Sequence, residues 1–311
     1  MGSMFIQADP SLRLYRALDQ DMRARGFAPS HVASLAAATD HVERDDVSSL
    51  RRHGLGPLVD QGVLRLLIPA TPGHRRAGNG VRTQVWGGSL ASGSFLTCGD
   101  GIYISSPEFV FLQMAARTDA VSLTMLGMEL CGCYRMQDKR VAYQMPRLTN
   151  VRRIRSFLSR MVGTPGTRRA REALAHVMDG LESPAQTALL MQLCLPTRMG
   201  GYALPMPRLE QSVRLSNDLE GPSLSLLCWS GISLAVSECP GIGGGDGRPV
   251  VVTPQTLCSD ELLRSVALLI AANLGISIRQ ETRTFRAARD ALRVHIQRGC
   301  ETYGEEGAMA S

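Results

Sequence analysis

The chain has 311 residues, enough for one large or two ordinary domains and for a core that needs no staples. Its 44% hydrophobic and 20% charged residues are those of a globular protein. No apolar run reaches the ~18 residues of a membrane helix and no signal pattern opens the chain, which sets aside a helical membrane protein. The formal net charge is +6, with a pI near 9.1, so a polyanionic partner is favoured. Of the 34 basic residues only Lys139 is a lysine. Arginine suits bidentate phosphate contacts, although a GC-rich coding sequence would give the same bias.

The chain opens on short helices. Leu12, Leu14, Tyr15 and Leu18 make a helical stripe, Pro29-Ser30 starts a second run from His31 to Ala38, and Asp45 to His53 is a third. Such a trio is compatible with a helix-turn-helix and equally with any small helical packing. From Gly62 the pattern changes to strands, over 63–70 and 81–88, with a basic loop from Pro72 to Gly80 between them. Residues 94–106 alternate on both sides of Gly99-Asp100-Gly101, a hairpin signal. Ser106-Pro107-Glu108 then starts a helix as N-cap, N1 and N2, and a further helix spans Ala120 to Cys131.

Residues 135–150 read as a loop. Two basic helices follow, Arg152 to Met161 and Thr167 to Met178, joined by Gly163-Thr164-Pro165-Gly166. Their seven arginines form the densest basic stretch, either a solvated face or one that contacts phosphate. Ser183-Pro184-Ala185-Gln186 is a capping box opening a helix to about Leu195, with the Gln186 side chain expected to reach back to the N-cap amide. A stiff Gly/Pro connection leads to LSLLCWSGISLAVSEC (224–239), a hairpin turning at Ser230-Gly231. A glycine-rich loop, a long helix from Ser259 to Leu274 capped by Gly275, a strand over 277–283, a helix over 285–298 and a disordered tail complete the chain.

The hairpin register follows from a two-residue turn. Trp229 pairs with Ile232, Cys228 with Ser233 and Leu226 with Ala235, so Leu226, Cys228, Ala235 and Ser237 share one face. Glu238 points the other way unless a bulge intervenes. The eight cysteines are scattered, with only Cys131 and Cys133 close together, and several sit in apolar runs. That pattern indicates reduced thiols and a cytoplasmic protein. The six histidines show no metal-ligand spacing, and neither a phosphate loop nor a nucleophile elbow is present.

The helix–strand–strand–helix–strand–helix order from 183 to 298 resembles the PD-(D/E)XK nuclease fold, specifically the very-short-patch-repair-like endonucleases. GIYISSPEFVFLQMA, GMELCGCY and SPAQTALLMQLCLPTRMGGYALP extend the resemblance to an actinobacterial family carrying such a domain at its C-terminus, over roughly residues 60–298. Residues 62–118 also distantly resemble the C-terminal part of abortive-infection antitoxins.

The resemblance implies an α/β (α+β) protein. Short helices over 1–60 precede an antitoxin-like strand–helix region over 61–150 and a basic helical connector over 151–180. A nuclease-like domain with a mixed sheet between helices fills 181–298, and a tail spans 299–311. Relatives of this fold hold Mg²⁺ with carboxylates that here fall on Gln186, Leu226 and Ser237, none of them acidic. The implied protein associates with DNA, or with a protein that handles DNA, and has lost its metal site and catalysis. The alternative is a divergent Mg²⁺-dependent endonuclease using Asp218, Glu220 and Glu238, and a third reading is an antitoxin-like regulator. Candidate nucleic-acid contacts are Arg152, Arg153, Arg168, Arg169, Arg264 and Arg283. No cofactor is implied unless the enzyme reading holds, and the oligomeric state is open.

Overall fold

A computed structural model describes residues 3–18, 26–39, 42, 44–56, 58, 64–70, 81–137, 140–214, 223–236, 249–278 and 282–301. The protein is a mixed α/β chain in which sheets of mixed strand direction pack with helices. It divides into two compact units. The first comprises Met1–Gln137 with Gln144–Asp179, the second Asp138–Tyr143 with Gly180–Ser311. Among the described residues no helix is long and apolar enough to cross a membrane.

In the first unit a six-stranded sheet runs in the order β2-β5-β6-β1-β3-β4. Its strands are β1 (Met4–Ile6), β2 (Ala28–Pro29), β3 (Leu64–Pro69), β4 (Val81–Trp86), β5 (Phe95–Gly99) and β6 (Ile102–Ser105). The strand β1 lies parallel to β6 and antiparallel to β3, so three residues near the start of the sequence occupy the middle of the sheet. A buried polar network fixes them there. Ser105 Oγ donates to Ile6 O at 2.8 Å, Gln113 Nε2 donates to Ser105 Oγ at 2.8 Å, and Tyr15 Oη donates to Ser105 O at 2.5 Å. Each of these buried groups is satisfied, which is the condition for a polar network to stabilise a core.

The helices are α1 (Ala8–Ala17), α2 (Arg44–Arg52), α3 (Pro107–Ala115), α4 (Ala120–Cys131), α5 (Val151–Arg160) and α6 (Thr167–Leu174). Ser106 caps α3 and Pro107 begins it, as the sequence implies. Phe109 on α3 is the hub of the core. Its ring lies 5.4 Å from Phe95 and 5.0 Å from Trp86 in edge-on contacts, and 6.1 Å from Phe157 of α5.

Two expectations for the N-terminal residues are corrected. His31 to Ala38 is not helical, so the three-helix reading of 10–53 fails. The hydroxyls of Ser30 and Ser34 take the amides of Val32 and Ala36, the local bonds by which serine draws backbone out of a helix. Nor are residues 1–60 all helical, because β1 and β2 belong to the sheet. The basic loop 72–80 lies outside the described residues.

In the second unit a four-stranded sheet has the order β10-β9-β8-β7. Its strands are β7 (Arg208–Arg214), β8 (Ser223–Trp229), β9 (Ile232–Val236) and β10 (Val250–Val252). Antiparallel pairing joins β7, β8 and β9, and β10 runs parallel to β9. The helices are α7 (Pro184–Cys194), α8 (Pro254–Cys258), α9 (Asp260–Asn273) and α10 (Arg283–Glu301). The strand expected over 277–283 is corrected at its described residues, while 279–281 lie outside them. Ser277 and Ile278 have no regular structure, and Thr282 caps α10 by accepting the Phe285 amide at 3.1 Å. The sheet instead gains β7 before the hairpin and β10 after it. The element order therefore departs from the one carrying the resemblance. The glycine-rich loop 241–247 and the tail beyond Glu301 lie outside the described residues.

Candidate nucleic-acid interface

The hairpin has the register that a two-residue turn dictates: Trp229 opposite Ile232, Cys228 opposite Ser233, Leu226 opposite Ala235. Leu226, Cys228 and Ala235 form one buried cluster, with Leu226 only 5% exposed. Leu226 also faces Glu210 across β7, and the Glu210 carboxylate hydrogen-bonds the Cys228 thiol. Burial pushes that thiol's pKa up, Ser233 Oγ donating at 3.3 Å partly opposes the shift, and Glu210 adds to it. Cys228 is therefore held as a neutral thiol. Ser237, Glu238, Asp218 and Glu220 lie outside the described residues.

Gln186 is buried and fully employed. Ser183 caps α7 by accepting the Gln186 amide at 3.1 Å, as the capping box requires. The return bond is shifted, because Gln186 Oε1 takes the amide of Glu182 at 2.8 Å rather than that of Ser183. Its Nε2 donates to Ser225 O at 3.4 Å, and Ser225 N donates to the Glu182 carboxylate at 3.3 Å. Ser225 sits where the β7–β8 register shifts between Leu224 and Leu226. A bulge removes backbone groups from the ladder, and here α7 and the residue before its cap satisfy them. Glu182 and Glu210 are thus the carboxylates beside this strand that the sequence reading passed over. Among the described residues no group of three or more His, Cys, Asp or Glu could hold a metal ion.

The basic helices divide by role. Asn150 caps α5, accepting the Arg153 amide at 2.8 Å, and Ile154, Phe157 and Leu158 bury its inner stripe. Arg153 turns back to Glu108, a 5% exposed carboxylate on α3, with Nε 3.1 Å from Oε1. Thr149 Oγ1 donates to the same oxygen at 2.5 Å. Arg169 donates to the carbonyls of Ala115 and Thr118 at 3.2 and 3.1 Å, closing the end of α3. Arg171 donates to Leu158 O at 3.0 Å, and the Arg160 guanidinium lies over the Phe157 ring at 5.8 Å.

Arg152, Arg155 and Arg168 are left. All three are exposed, with no hydrogen-bond or ion-pair partner among the described residues. Arg152 and Arg155 lie three residues apart and so share a face of α5. Arg168 borders a shallow cavity of about 360 Å³ beside the α5–α6 turn, lined also by Thr164, Thr167, Arg171 and Glu172. Arg155 was missed as an individual candidate, whereas Arg153 and Arg169 have structural duties. In the second unit Arg264 has a partner of its own, and Arg283 is exposed with none among the described residues.

Profiles of known protein families, curated proteins and solved structures give no match to this chain.

Proposed function

We propose that the protein binds DNA through backbone phosphates at the α5–α6 face and does not cut it. The observation that carries this reading is the division of labour among the arginines. Arg153, Arg169 and Arg171 are committed to carboxylate or carbonyl oxygens, while Arg152, Arg155 and Arg168 are held out by the same helices with no acceptor among the described residues. A guanidinium on a rigid helix, without an internal partner to lose, is suited to a phosphate oxygen. The net charge of +6 favours the encounter. Contacts of this kind carry no sequence information, so the binding is indifferent to sequence.

The non-cleaving part rests on the nuclease-like hairpin. A metal-dependent nuclease needs anionic oxygens to hold the cation and acidify its water. At the positions aligned with those acids, Gln186 is an amide tied to two backbone groups and Leu226 is packed in an apolar cluster. A cytoplasmic setting belongs to the same proposal and is supported by buried free thiols at Cys131 and Cys194.

The test is fluorescence anisotropy on labelled duplex across a salt series, with wild type against Arg152→Glu/Arg155→Glu/Arg168→Glu. Each lost phosphate contact lowers the slope of log K against log salt by about 0.9, so the triple variant should lose about 2.7. Equal slopes would remove the proposed face. Cleavage of plasmid by repurified wild-type protein with Mg²⁺ or Mn²⁺ would overturn the non-cleaving half.

A further inference from the structure

The second unit contains a cavity of about 260 Å³ between the turn Thr197–Met199 and the first residues of α10. Its floor is aromatic. Tyr202 and Phe285 are 5% and 9% exposed, with ring centroids 5.6 Å apart at 51°. That floor is held rigid from behind, where the Arg289 guanidinium lies over the Tyr202 ring at 4.6 Å. Arg289 is itself anchored, Nε on Asp260 Oδ1 at 2.9 Å and Nη1 on Gly200 O at 3.2 Å. Thr197, Thr282 and Thr284 supply walls of mixed methyl and hydroxyl character. At the rim Arg198 is exposed and has no partner among the described residues.

Each part selects for something different. Fixed aromatic walls favour a planar group over a flexible chain, because nothing need be ordered on binding. Hydroxyls beside them suit the edge of a heterocycle or a sugar, as both donor and acceptor. A guanidinium at the mouth with no partner among the described residues suits an anion, and a phosphate matches its fork. The volume sits just under the range of about 300–1,000 Å³ for pockets that hold drug-sized ligands, so one small ligand fits and an extended one does not.

We propose that this cavity binds one nucleotide, the base against Tyr202 and Phe285 and the phosphate on Arg198. The site is separate from the α5–α6 face and does not depend on it. Free nucleotide and the phosphorylated end of a nucleic-acid strand share this chemistry.

The experiment uses the full chain with AMP, adenosine and inorganic phosphate, by titration calorimetry and saturation-transfer NMR. AMP should bind saturably. Arg198→Ala should weaken AMP roughly ten- to a hundredfold, the worth of a charge-assisted contact, and leave adenosine unchanged. Thr284→Phe, which fills the cavity from an exposed helix position, should abolish both, with thermal melting reporting that the fold is intact. Competition of a 5′-phosphorylated oligonucleotide with AMP assigns the cavity to strand ends, and lack of competition assigns it to free nucleotide. No saturable AMP binding at millimolar concentration, or AMP binding unchanged in both variants, overturns the proposal.

Discussion

Placing an aspartate at residue 226, where the proposed nuclease-like reading would put an acid, should destabilise the second unit rather than build a metal site. Leu226 is 5% exposed and packs with Cys228 and Ala235. Removing a buried leucine side chain costs roughly 2–5 kcal/mol. Burying an unpartnered polar group adds about 1–3 kcal/mol. The new carboxylate would also stand directly across the strand pair from Glu210, and like charges so placed repel. The total of roughly 3–8 kcal/mol is comparable with the whole stability of a domain. At about 3 °C per kcal/mol for a unit of this size, Leu226→Asp should lower the melting temperature by roughly 10–25 °C. Differential scanning calorimetry of wild type, Leu226→Asp and Gln186→Glu/Leu226→Asp, with and without millimolar Mg²⁺, measures it. Cation binding to a preformed site would return about 2.7 kcal/mol at a hundredfold excess over Kd, or roughly 8 °C. A wild-type melting temperature in Leu226→Asp, or recovery of several degrees with Mg²⁺ in the double variant, would refute the reasoning.

Other expectations are simpler. The hydrogen bonds from His53 and Ser49 hold the Asp100 carboxyl below its ordinary value. Its contribution is therefore full above about pH 4 and is lost as pH falls through the depressed pKa; His53→Ala should move the Asp100 titration upward by NMR. Gly200 has φ +89° and a Cβ there would stand 2.5 Å from Ala288 O, so Gly200→Ala should cost on the order of 3 kcal/mol in urea unfolding. Gly88→Ala meets the Thr164 methyl at 2.8 Å and the Trp86 ring at 3.1 Å, so it should cost about 1–2 kcal/mol, partly recovered by Thr164→Ser. Mass mapping after brief iodoacetamide treatment should find Cys258 alkylated in the native protein, with Cys131 and Cys194 protected until denaturant is added. Burial raises both of their pKa values, whereas Cys258 is exposed.

What the sequence disclosed follows from how local each determinant is. The β8–β9 register was legible because a two-residue turn and alternation decide it within sixteen residues. The helix starts at Ser106 and Ser183 were legible for the same reason, since a cap and its amide lie three residues apart. The strand β1 was hidden because three residues carry no period and its partners lie far along the chain. Strand β7 escaped because Arg208 and Glu210 leave it exposed on one side, and β10 because three valines are too short a signal. Ser183 caps α7 as read, but Gln186 returns its bond to Glu182 rather than to Ser183, and its bond to Ser225 depends on a bulge that no periodicity announces. Arg153 and Arg169 looked like Arg152 and Arg168 in sequence. Only packing against α3 separates them, so reversing Arg153 would set a carboxylate against buried Glu108 and report on folding instead of binding.

The central position of β1 bears on how the chain is made. Its register pairs Met4 with Ile102 and Ile6 with Leu66, so neither neighbour exists when Met4–Ile6 leaves the ribosome. At roughly 5–20 residues per second the wait for β6 is on the order of 5–20 s, far longer than microsecond hairpin closure. Until β3 emerges both edges of this apolar strand are unpaired, and until β6 emerges one of them still is; the pairing that ends the wait is among the most non-local in the unit. Slowing synthesis ahead of residue 102 lengthens the exposure of that strand without altering the finished protein.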